Sequence, residues 1–139
     1  MNDRGLVEEL LTTSQVIAVV GYSADTSRPS NSVSRYLRGQ GFRVIPVNPQ
    51  LHGDTVDGER AYDSLSDIPK QIRIDLVDVF RRGEFLDAVV DDAVAAGVTA
   101  IWFQLDLGNI DAARRAEALG MRVVWDCCTE IEHRNMRKR

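Results

Sequence analysis

The chain lacks most features of a secreted, membrane-spanning or metal-dependent protein. Its 139 residues include only two cysteines, the neighbours Cys127 and Cys128. Adjacent cysteines do not readily form an ordinary structural disulfide, so we expect a reduced, cytoplasmic protein. No apolar run approaches the roughly 20 residues of a membrane span, and the acidic start MNDRGLVEELL predicts a short amphipathic helix, not a signal peptide. The two histidines, His52 and His133, lack metal-ligand spacing.

The chain also lacks the positive charge of a nucleic-acid-binding protein. Its formal net charge is −4, which argues against a broad nucleic-acid surface. The last seven residues, HRNMRKR, are basic, and we expect them to form a solvated, frayed tail. The composition, 44% hydrophobic and 27% charged, is ordinary for a globular fold, and the length predicts a single domain, 1–139. We therefore expect neither nucleic acid nor membrane as a partner, whereas a homodimer or a protein partner stays open.

Apolar, β-branched runs alternate with helical patterns along almost the whole chain. Such runs are typical of parallel strands covered by helices on both faces. They predict an α/β fold with a doubly wound, five-stranded parallel sheet of the Rossmann-like type. The expected strands are Val16–Val20, Phe42–Val47, Ile74–Phe80, Thr99–Phe103 and Arg122–Trp125, and the expected helices after the first strand begin at Ser32, Phe85, Ile110 and just after Cys128.

The turn after the first strand lacks the glycines of a dinucleotide site. Gly21 is the only glycine between that strand and Gly39, so G-x-G-x-x-G is missing, as are the P-loop and G-x-S-x-G patterns. Asn48 and Pro49 follow the second strand, where a nicotinamide dinucleotide site has an acidic residue. These absences disfavour a dinucleotide-binding regulatory domain, which stays open as an alternative.

The same turn is rich in hydroxyl groups and contains an arginine. Because ligands of doubly wound sheets bind at the carboxyl ends of the strands, this turn is a candidate site. Gly21 permits close approach of the backbone, Ser23 and Ser30 provide hydroxyls, and Arg28 suits phosphate oxygens. One of residues 30–32 is placed to cap the next helix, whose free N–H groups favour an anion. The sequence thus predicts a phosphate site, with an ordinary polar surface loop as the alternative.

The other strand ends also carry candidate residues. Val47 and Pro49 can form an apolar wall, with Asn48 between them to read the edge of a base. Phe80 offers a ring after the third strand, and Gln104 can donate an amide hydrogen bond after the fourth, next to the first strand in the expected order. Arg81 and Arg82 follow Phe80 directly. Surface charge and a rigid turn are the alternatives for these positions.

Cys128 follows the fifth strand, at the same edge of the sheet. A thiol at a helix N-terminus can have a lowered pKa and be reactive, whereas a small buried side chain is the alternative. An enzyme that uses Cys128 for thiol exchange or acyl transfer therefore stays open.

Five motifs in this order, RPSNSV, PVNP, VDVFRR, WFQL and a late cysteine, resemble the small stand-alone CoA-binding domain proteins. These are similar to the N-terminal domain of the succinyl-CoA synthetase alpha subunit, and the resemblance covers nearly the whole chain. It implies coenzyme A or an acyl-CoA lying across the strand tips. Because the residues show no pairing of a base with a nucleophile, we expect binding without catalysis by the domain itself. The residues it implies for the site are Gly21, Ser23, Arg28, Pro29 and Ser30 at the phosphates, Val47, Asn48 and Pro49 at the adenosine, and Phe80, Arg81 and Gln104 along the remaining cleft.

The chain departs from the family pattern at two points and differs from succinyl-CoA synthetase at a third. Asp106 stands where family members commonly have glycine, which adds a carboxylate near Gln104. Cys127 is an addition beside Cys128, which occupies the position of the usual single cysteine. The second domain of succinyl-CoA synthetase, with its phosphorylated histidine segment, has no counterpart here, so the resemblance does not imply ligase chemistry.

Overall fold

Five parallel strands form the centre of the computed structural model, which describes residues 2–138. The strands of this sheet are β1 Val16–Val20, β2 Arg43–Val47, β5 Leu76–Val79, β6 Ala100–Phe103 and β7 Arg122–Trp125, while β3 Thr55–Val56 and β4 Glu59–Arg60 form a separate antiparallel hairpin. The helices are α1 Arg4–Thr13, α2 Pro29–Gly39, α3 Leu86–Ala95, α4 Asp111–Ala118 and α5 Thr129–Arg137. The predicted Rossmann-like α/β fold is confirmed.

The strand order of the sheet is β2-β1-β5-β6-β7. The chain crosses from β1 outward to β2, then returns past β1 to start the other half of the sheet at β5. The connections on the two sides therefore diverge between β1 and β5, and the crevice above their carboxyl ends is the place where doubly wound sheets bind ligands. In this order β6 pairs with β5, so the expectation that Gln104 lies next to the first strand is wrong.

Alternate strand residues supply two separate hydrophobic cores, as the period of two in a strand requires. Ala18 and Val20 of β1 point into one core, which α3 and α4 cover. Ile17 and Val19 point into the other, which α1, α2 and α5 cover. Phe103 of β6 points into the first core and Trp102 into the second, and both are fully buried.

The first crossover helix begins three residues earlier than expected. α2 starts at Pro29, because proline at the first helical position has no N–H to lose and a φ already suited to the helix. Arg28 is the N-cap residue, and no side chain caps this end by a hydrogen bond. The expectation that one of residues 30–32 caps the helix is therefore wrong, and these side chains are available for other contacts.

The basic C-terminal segment is helical through Arg137, so the expectation of a frayed tail is wrong for the described part; Arg139 lies outside the described residues. His133 anchors the segment, because it is buried and its Nδ1 lies 2.6 Å from the Tyr36 hydroxyl. The Phe42 ring packs edge-on against the same imidazole. Within residues 2–138, no helix has the length and apolar character needed to cross a membrane.

Candidate functional site

A cleft of about 700 Å³ lies above the carboxyl ends of the parallel strands. Its walls come from the loop after β1, the start of α2, the turn after β2, and the loops after β5, β6 and β7. Of the residues predicted from the sequence, those that line this cleft are Gly21, Ser23, Arg28, Pro29, Ser30, Asn48, Phe80 and Gln104. Val47, Pro49 and Arg81 do not line it.

Two serine hydroxyls hold the first loop, residues 21–28, and keep their protons available. The Ser30 hydroxyl accepts a hydrogen bond from the backbone N–H of Ser23 at 3.0 Å. The Ser23 hydroxyl accepts one from the backbone N–H of Asp25 at 3.1 Å. Since a hydroxyl has one donor and two acceptor lone pairs, both serines can still donate to a ligand oxygen. The Asn31 amide, which donates to the Ser23 carbonyl oxygen at 2.9 Å, fixes the loop from α2.

Two exposed arginines bring positive charge to the cleft. The guanidinium groups of Arg28 and Arg82 form no hydrogen bond or salt bridge with any residue in the described range 2–138. Asp25 lies near Arg28 in the first loop, and its pKa is below the usual value because the backbone and hydroxyl of Ser27 hydrogen-bond to it, and to a smaller extent because of Arg28. One acid and two arginines leave this end of the cleft suited to an anion.

Arg82, and not Arg81, lines the cleft after β5. The guanidinium of Arg81 lies over the Phe85 ring, 4.1 Å from its centroid, and its methylene groups pack against Gly21. The strand ends at Val79, so the alternation of side chains along a strand does not decide which arginine of the pair faces the cleft. Both arginines were candidates because they follow a strand end, but the residues that the family resemblance implied for the site included Arg81 and not Arg82.

The three residues expected at the adenosine, Val47, Asn48 and Pro49, are each placed differently from the expectation. Val47 is 3% exposed and packs in the core, while Pro49 is exposed and begins a short 3₁₀ turn outside the cleft. Asn48 lines the cleft, but its amide donates to the Tyr22 carbonyl at 2.9 Å and its oxygen accepts from the Gln50 N–H at 2.9 Å. Its side chain is thus engaged in holding two turns together. Gln50 and Leu51 line the cleft at this end instead.

Gln104 belongs to a buried polar group at the floor of the cleft. Its amide nitrogen donates to Asp78 at 2.5 Å and to the Thr129 hydroxyl at 3.0 Å. The Thr129 hydroxyl in turn donates to the other oxygen of Asp78 at 2.9 Å. Burial raises the pKa of Asp78 to about 7, and the hydrogen bonds from Gln104 and Thr129 offset only part of that rise. Both amide protons of Gln104 are engaged in this arrangement, so a hydrogen bond donated to a ligand would have to replace one of these contacts, and that role stays a prediction.

Cys128 lines the cleft at the N-terminus of α5 but does not have an activated thiol. Burial raises its pKa, and the nearby charges of Asp78 and Glu130 raise it further. The backbone of Glu130 and Ile131 favours the thiolate, yet burial outweighs it. The expectation of a lowered pKa at this helix terminus is therefore wrong. Cys127 also has a raised pKa, mainly because of burial, and both cysteines are free thiols.

A larger groove of about 900 Å³ lies at the opposite, amino-terminal edge of the sheet. Two of its three cations are already paired, Arg122 with Glu9 and Arg73 with Asp75. The Asp75 carboxylate also accepts hydrogen bonds from the backbone N–H groups of Gln15 and Val16. These contacts hold the strand starts together, so we assign the functional site to the cleft at the other edge. In the part of the chain that the structure describes, no group of three or more metal-ligating side chains occurs.

The sheet order and the cleft above its switch point define the class: a doubly wound α/β domain with an anion-suited site at the carboxyl ends of its strands. Comparison with known proteins gives the family. Residues 15–134 match the model of a family described as CoA binding domain, and the chain belongs to that family.

The chain is similar over most of its length to two proteins of comparable length and to part of a much longer synthetase. The uncharacterised protein YneT of Bacillus subtilis is 35% identical over 127 residues, 91% of each chain. A protein of known structure from Thermus thermophilus is 36% identical with a TM-score of 0.89, and the match covers 98% of this chain and 99% of that one. An acetyl-coenzyme A synthetase from Candidatus Korarchaeum cryptofilum matches with 29% identity and a TM-score of 0.68, over 84% of this chain and 27% of the synthetase.

Proposed function

We propose that the cleft binds coenzyme A, or an acyl-CoA, and that the domain is a cytoplasmic binding module without chemistry of its own. The observation that carries this proposal is the set of unengaged donors at one end of the cleft: the guanidinium groups of Arg28 and Arg82 and the hydroxyls of Ser23 and Ser30. CoA carries a diphosphate and a ribose 3′-phosphate, and charge-assisted hydrogen bonds to such groups are among the stronger polar contacts. Membership of the CoA-binding domain family supports the same ligand.

The shape of the cleft favours an elongated ligand. Four strand spacings separate β2 from β7, which is about 19 Å across the sheet. The residues at the β2 end are Asn48, Gln50 and Leu51, and those beyond β6 are Leu105, Asp106 and Leu107. The unengaged donors of the first loop follow β1, so the phosphates of a long nucleotide fit there. We infer that the phosphates lie over the first loop and that the pantetheine arm runs toward the tips of β6 and β7.

The composition of the cleft supports binding without catalysis. Cys128 is the one thiol among the lining residues, and its pKa is raised. Neither histidine lines the cleft: His133 is buried between α2 and α5, and His52 follows the turn after β2. A half-buried thiol with a raised pKa is largely protonated at neutral pH and is a weak nucleophile.

The proposal is tested by thermal unfolding and calorimetric titration of the reduced protein with CoA, acetyl-CoA, ATP, NAD and NADP. We expect CoA compounds alone to raise the melting temperature, since a ligand at ~100 times its Kd stabilises a fold by about 2.7 kcal/mol. The ratio of the CoA and acetyl-CoA affinities then shows which form the cleft prefers. Absence of heat and of a thermal shift at millimolar CoA would refute the proposal, and preferential stabilisation by NAD would favour a dinucleotide instead.

Replacing either cleft arginine by alanine is expected to weaken CoA binding. Arg28→Ala and Arg82→Ala each remove a cation placed to contact phosphate, a loss of about 1.5–3 kcal/mol when such a bond is made. Arg73→Ala is the matched control, because that side chain is 93% exposed at the opposite edge of the sheet. Titration of each variant at two salt concentrations measures the effect. An unchanged affinity in both cleft variants would place the phosphates elsewhere.

Neutralising Asp106 is expected to strengthen CoA binding. Asp106 lines the cleft with φ at +59°, so it combines a left-handed backbone with a carboxylate near the anionic ligand. Asp106→Asn keeps a residue that tolerates this conformation and removes the charge, an effect of about 0.2–1 kcal/mol at an exposed position. Titrating CoA and dephospho-CoA into both proteins measures it, and the gain should be larger for the more charged ligand. Because Asp106 follows β6, on the side of the pantetheine arm, its charge acts on the phosphates from a distance; equal affinities for the variant and the wild type would show that this distance is too large for an effect.

A further inference from the structure

Asp78 is a buried acid without a cationic partner in the middle of the sheet. It lies on the central strand β5, with Val19 of β1 and Trp102 of β6 as its neighbours in register, and it is fully buried. Within the described residues its hydrogen bonds come only from Gln104 and Thr129. Burial of a carboxylate without a cationic partner lowers the stability of the fold, so we expect Asp78 to have a role in the cleft above it.

The hydrogen bonds of Asp78 determine which end of the Gln104 amide faces the ligand. An ionised carboxylate only accepts, so it must be faced by the Nε2 group of Gln104, whose two protons go to Asp78 and to the Thr129 hydroxyl. The Thr129 proton is also engaged, by Asp78. The atom left over is the Gln104 carbonyl oxygen, which has no partner among residues 2–138 and is not sealed from solvent. Gln104 is 5% exposed, and it lines the cleft.

We propose that Asp78 is a positioning residue for the ligand: through Gln104 it presents a fixed hydrogen-bond acceptor that receives an N–H of the pantetheine arm of CoA. This inference rests on the proposed function. An acceptor oxygen above a carboxylate repels phosphate, so the uncharged part of the ligand is the part that fits over β5 and β6. The pantetheine arm carries two amide N–H donors, and apolar Phe80, Leu105 and Leu107 line the cleft around Gln104.

Protonation of Asp78 removes the constraint. A carboxylic acid can donate, so the Gln104 amide can turn, give its oxygen to the acid and present N–H groups to the cleft. The N–H of the ligand then faces the N–H groups of Gln104 and no longer has a hydrogen-bond acceptor. Cys128 at the start of α5 is the titratable group next to Asp78, with Glu130 beyond it, while β1 and β6 present apolar side chains. CoA should therefore bind more weakly as the pH falls through 7, where Asp78 titrates.

The test compares the wild type with Asp78→Asn by calorimetric titration between about pH 5.5 and 8.5. At pH 8 the variant should bind CoA about three- to tenfold more weakly, the range of one ordinary hydrogen bond. The two proteins should converge at pH 5.5, where the wild type is also uncharged at this position. Adenosine 3′,5′-bisphosphate lacks the pantetheine arm, so its affinity should be the same in both proteins at every pH. Comparison at equal pH cancels titration of the ligand phosphates, which also occurs near pH 6.

A double-mutant cycle distinguishes positioning from a general structural role. Gln104→Met removes the acceptor, so Asp78→Asn added to it should change CoA affinity less than about twofold, against three- to tenfold alone. An equal effect in both backgrounds would overturn the inference. Thr129→Val keeps the hydrogen bond between Asp78 and Gln104 but frees one amide proton of Gln104. It serves as a second background in which the effect of Asp78→Asn on CoA affinity is measured, with a milder change to the fold. A wild type that binds no CoA at any pH refutes the proposed function, whereas equal CoA affinities of the wild type and Asp78→Asn at every pH refute this inference alone.

Discussion

Acidification from pH 8 to pH 5 is expected to stabilise the wild type relative to its Asp78→Asn variant by on the order of 3 kcal/mol. The pKa of Asp78 rises from 3.8 to about 7 on folding, mainly because the side chain is buried. Between these two values the folded protein holds a proton that the unfolded chain releases. The free energy of unfolding therefore falls as the pH rises through this window and becomes flat above pH 7. The full window corresponds to on the order of 4 kcal/mol.

Urea denaturation at several pH values measures this contribution. Other titrating groups, such as Asp25 and His133, are common to both proteins and cancel in the comparison. Glu117→Gln, the loss of an exposed carboxyl on α4, is the control for a change of one charge far from the cleft. Parallel stability profiles for the wild type and Asp78→Asn would show that Asp78 keeps an ordinary pKa in the fold. If the profiles differ as expected, Asp78 carries a destabilising charge above pH 7 at the position where the cleft needs an oriented acceptor.

Gly21→Val is expected to destabilise the fold by about 2–4 kcal/mol and to weaken CoA binding more than tenfold. Gly21 has φ at +86°, a conformation that disfavours any side chain and β-branched ones most. A Cβ at this position would lie 2.9 Å from the Arg81 Cδ and 3.2 Å from the Phe80 carbonyl carbon. The arginine side chain can move, but the backbone of the neighbouring strand end cannot move cheaply. A shift of Gly21 away from this backbone would also move the first loop and its hydrogen-bond donors.

Gly39→Ala is the matched control for this substitution. Gly39 ends α2 with a helical backbone, and nothing lies within 4 Å of an added Cβ. Alanine there should stabilise the protein by about 0.5–1 kcal/mol, because it restricts the unfolded chain and favours the helix. Urea denaturation gives the stabilities and calorimetry the affinities. A Gly21→Val protein with the stability of the wild type would mean that the turn adopts another conformation.

The prediction of the strands succeeded because their signal is local. Each buried strand is a short apolar, β-branched run, and the five observed strands lie within the predicted ones, with ends that differ by two residues or fewer. The β3–β4 hairpin was not predicted, because its strands are two residues each and carry no periodic pattern. The start of α2 was misplaced because Pro29 was not recognised as a first helical residue.

The candidate site was predicted in part for the same reason. The first loop follows directly from β1, so its residues were found from their distance to a strand end, and Gly21, Ser23, Arg28 and Ser30 lie together in the cleft. Arg81 and Arg82 differ by one position after the end of a strand, where no periodicity applies. The contact between the Arg81 side chain and Gly21, which joins β1 to β5, decided which of them faces the cleft.

The sequence by itself determined the class of fold, the edge of the sheet that carries the site and the resemblance to CoA-binding domains, since these depend on runs of neighbouring residues. Only the tertiary structure decided the strand order, and with it the contact between Asp78, Gln104 and Thr129, which are 25 to 51 residues apart. Pairing between strands depends on how helices pack on both faces of the sheet, and local spacing does not encode that. A buried acid and an oriented amide therefore became visible only when β5, β6 and α5 were brought together.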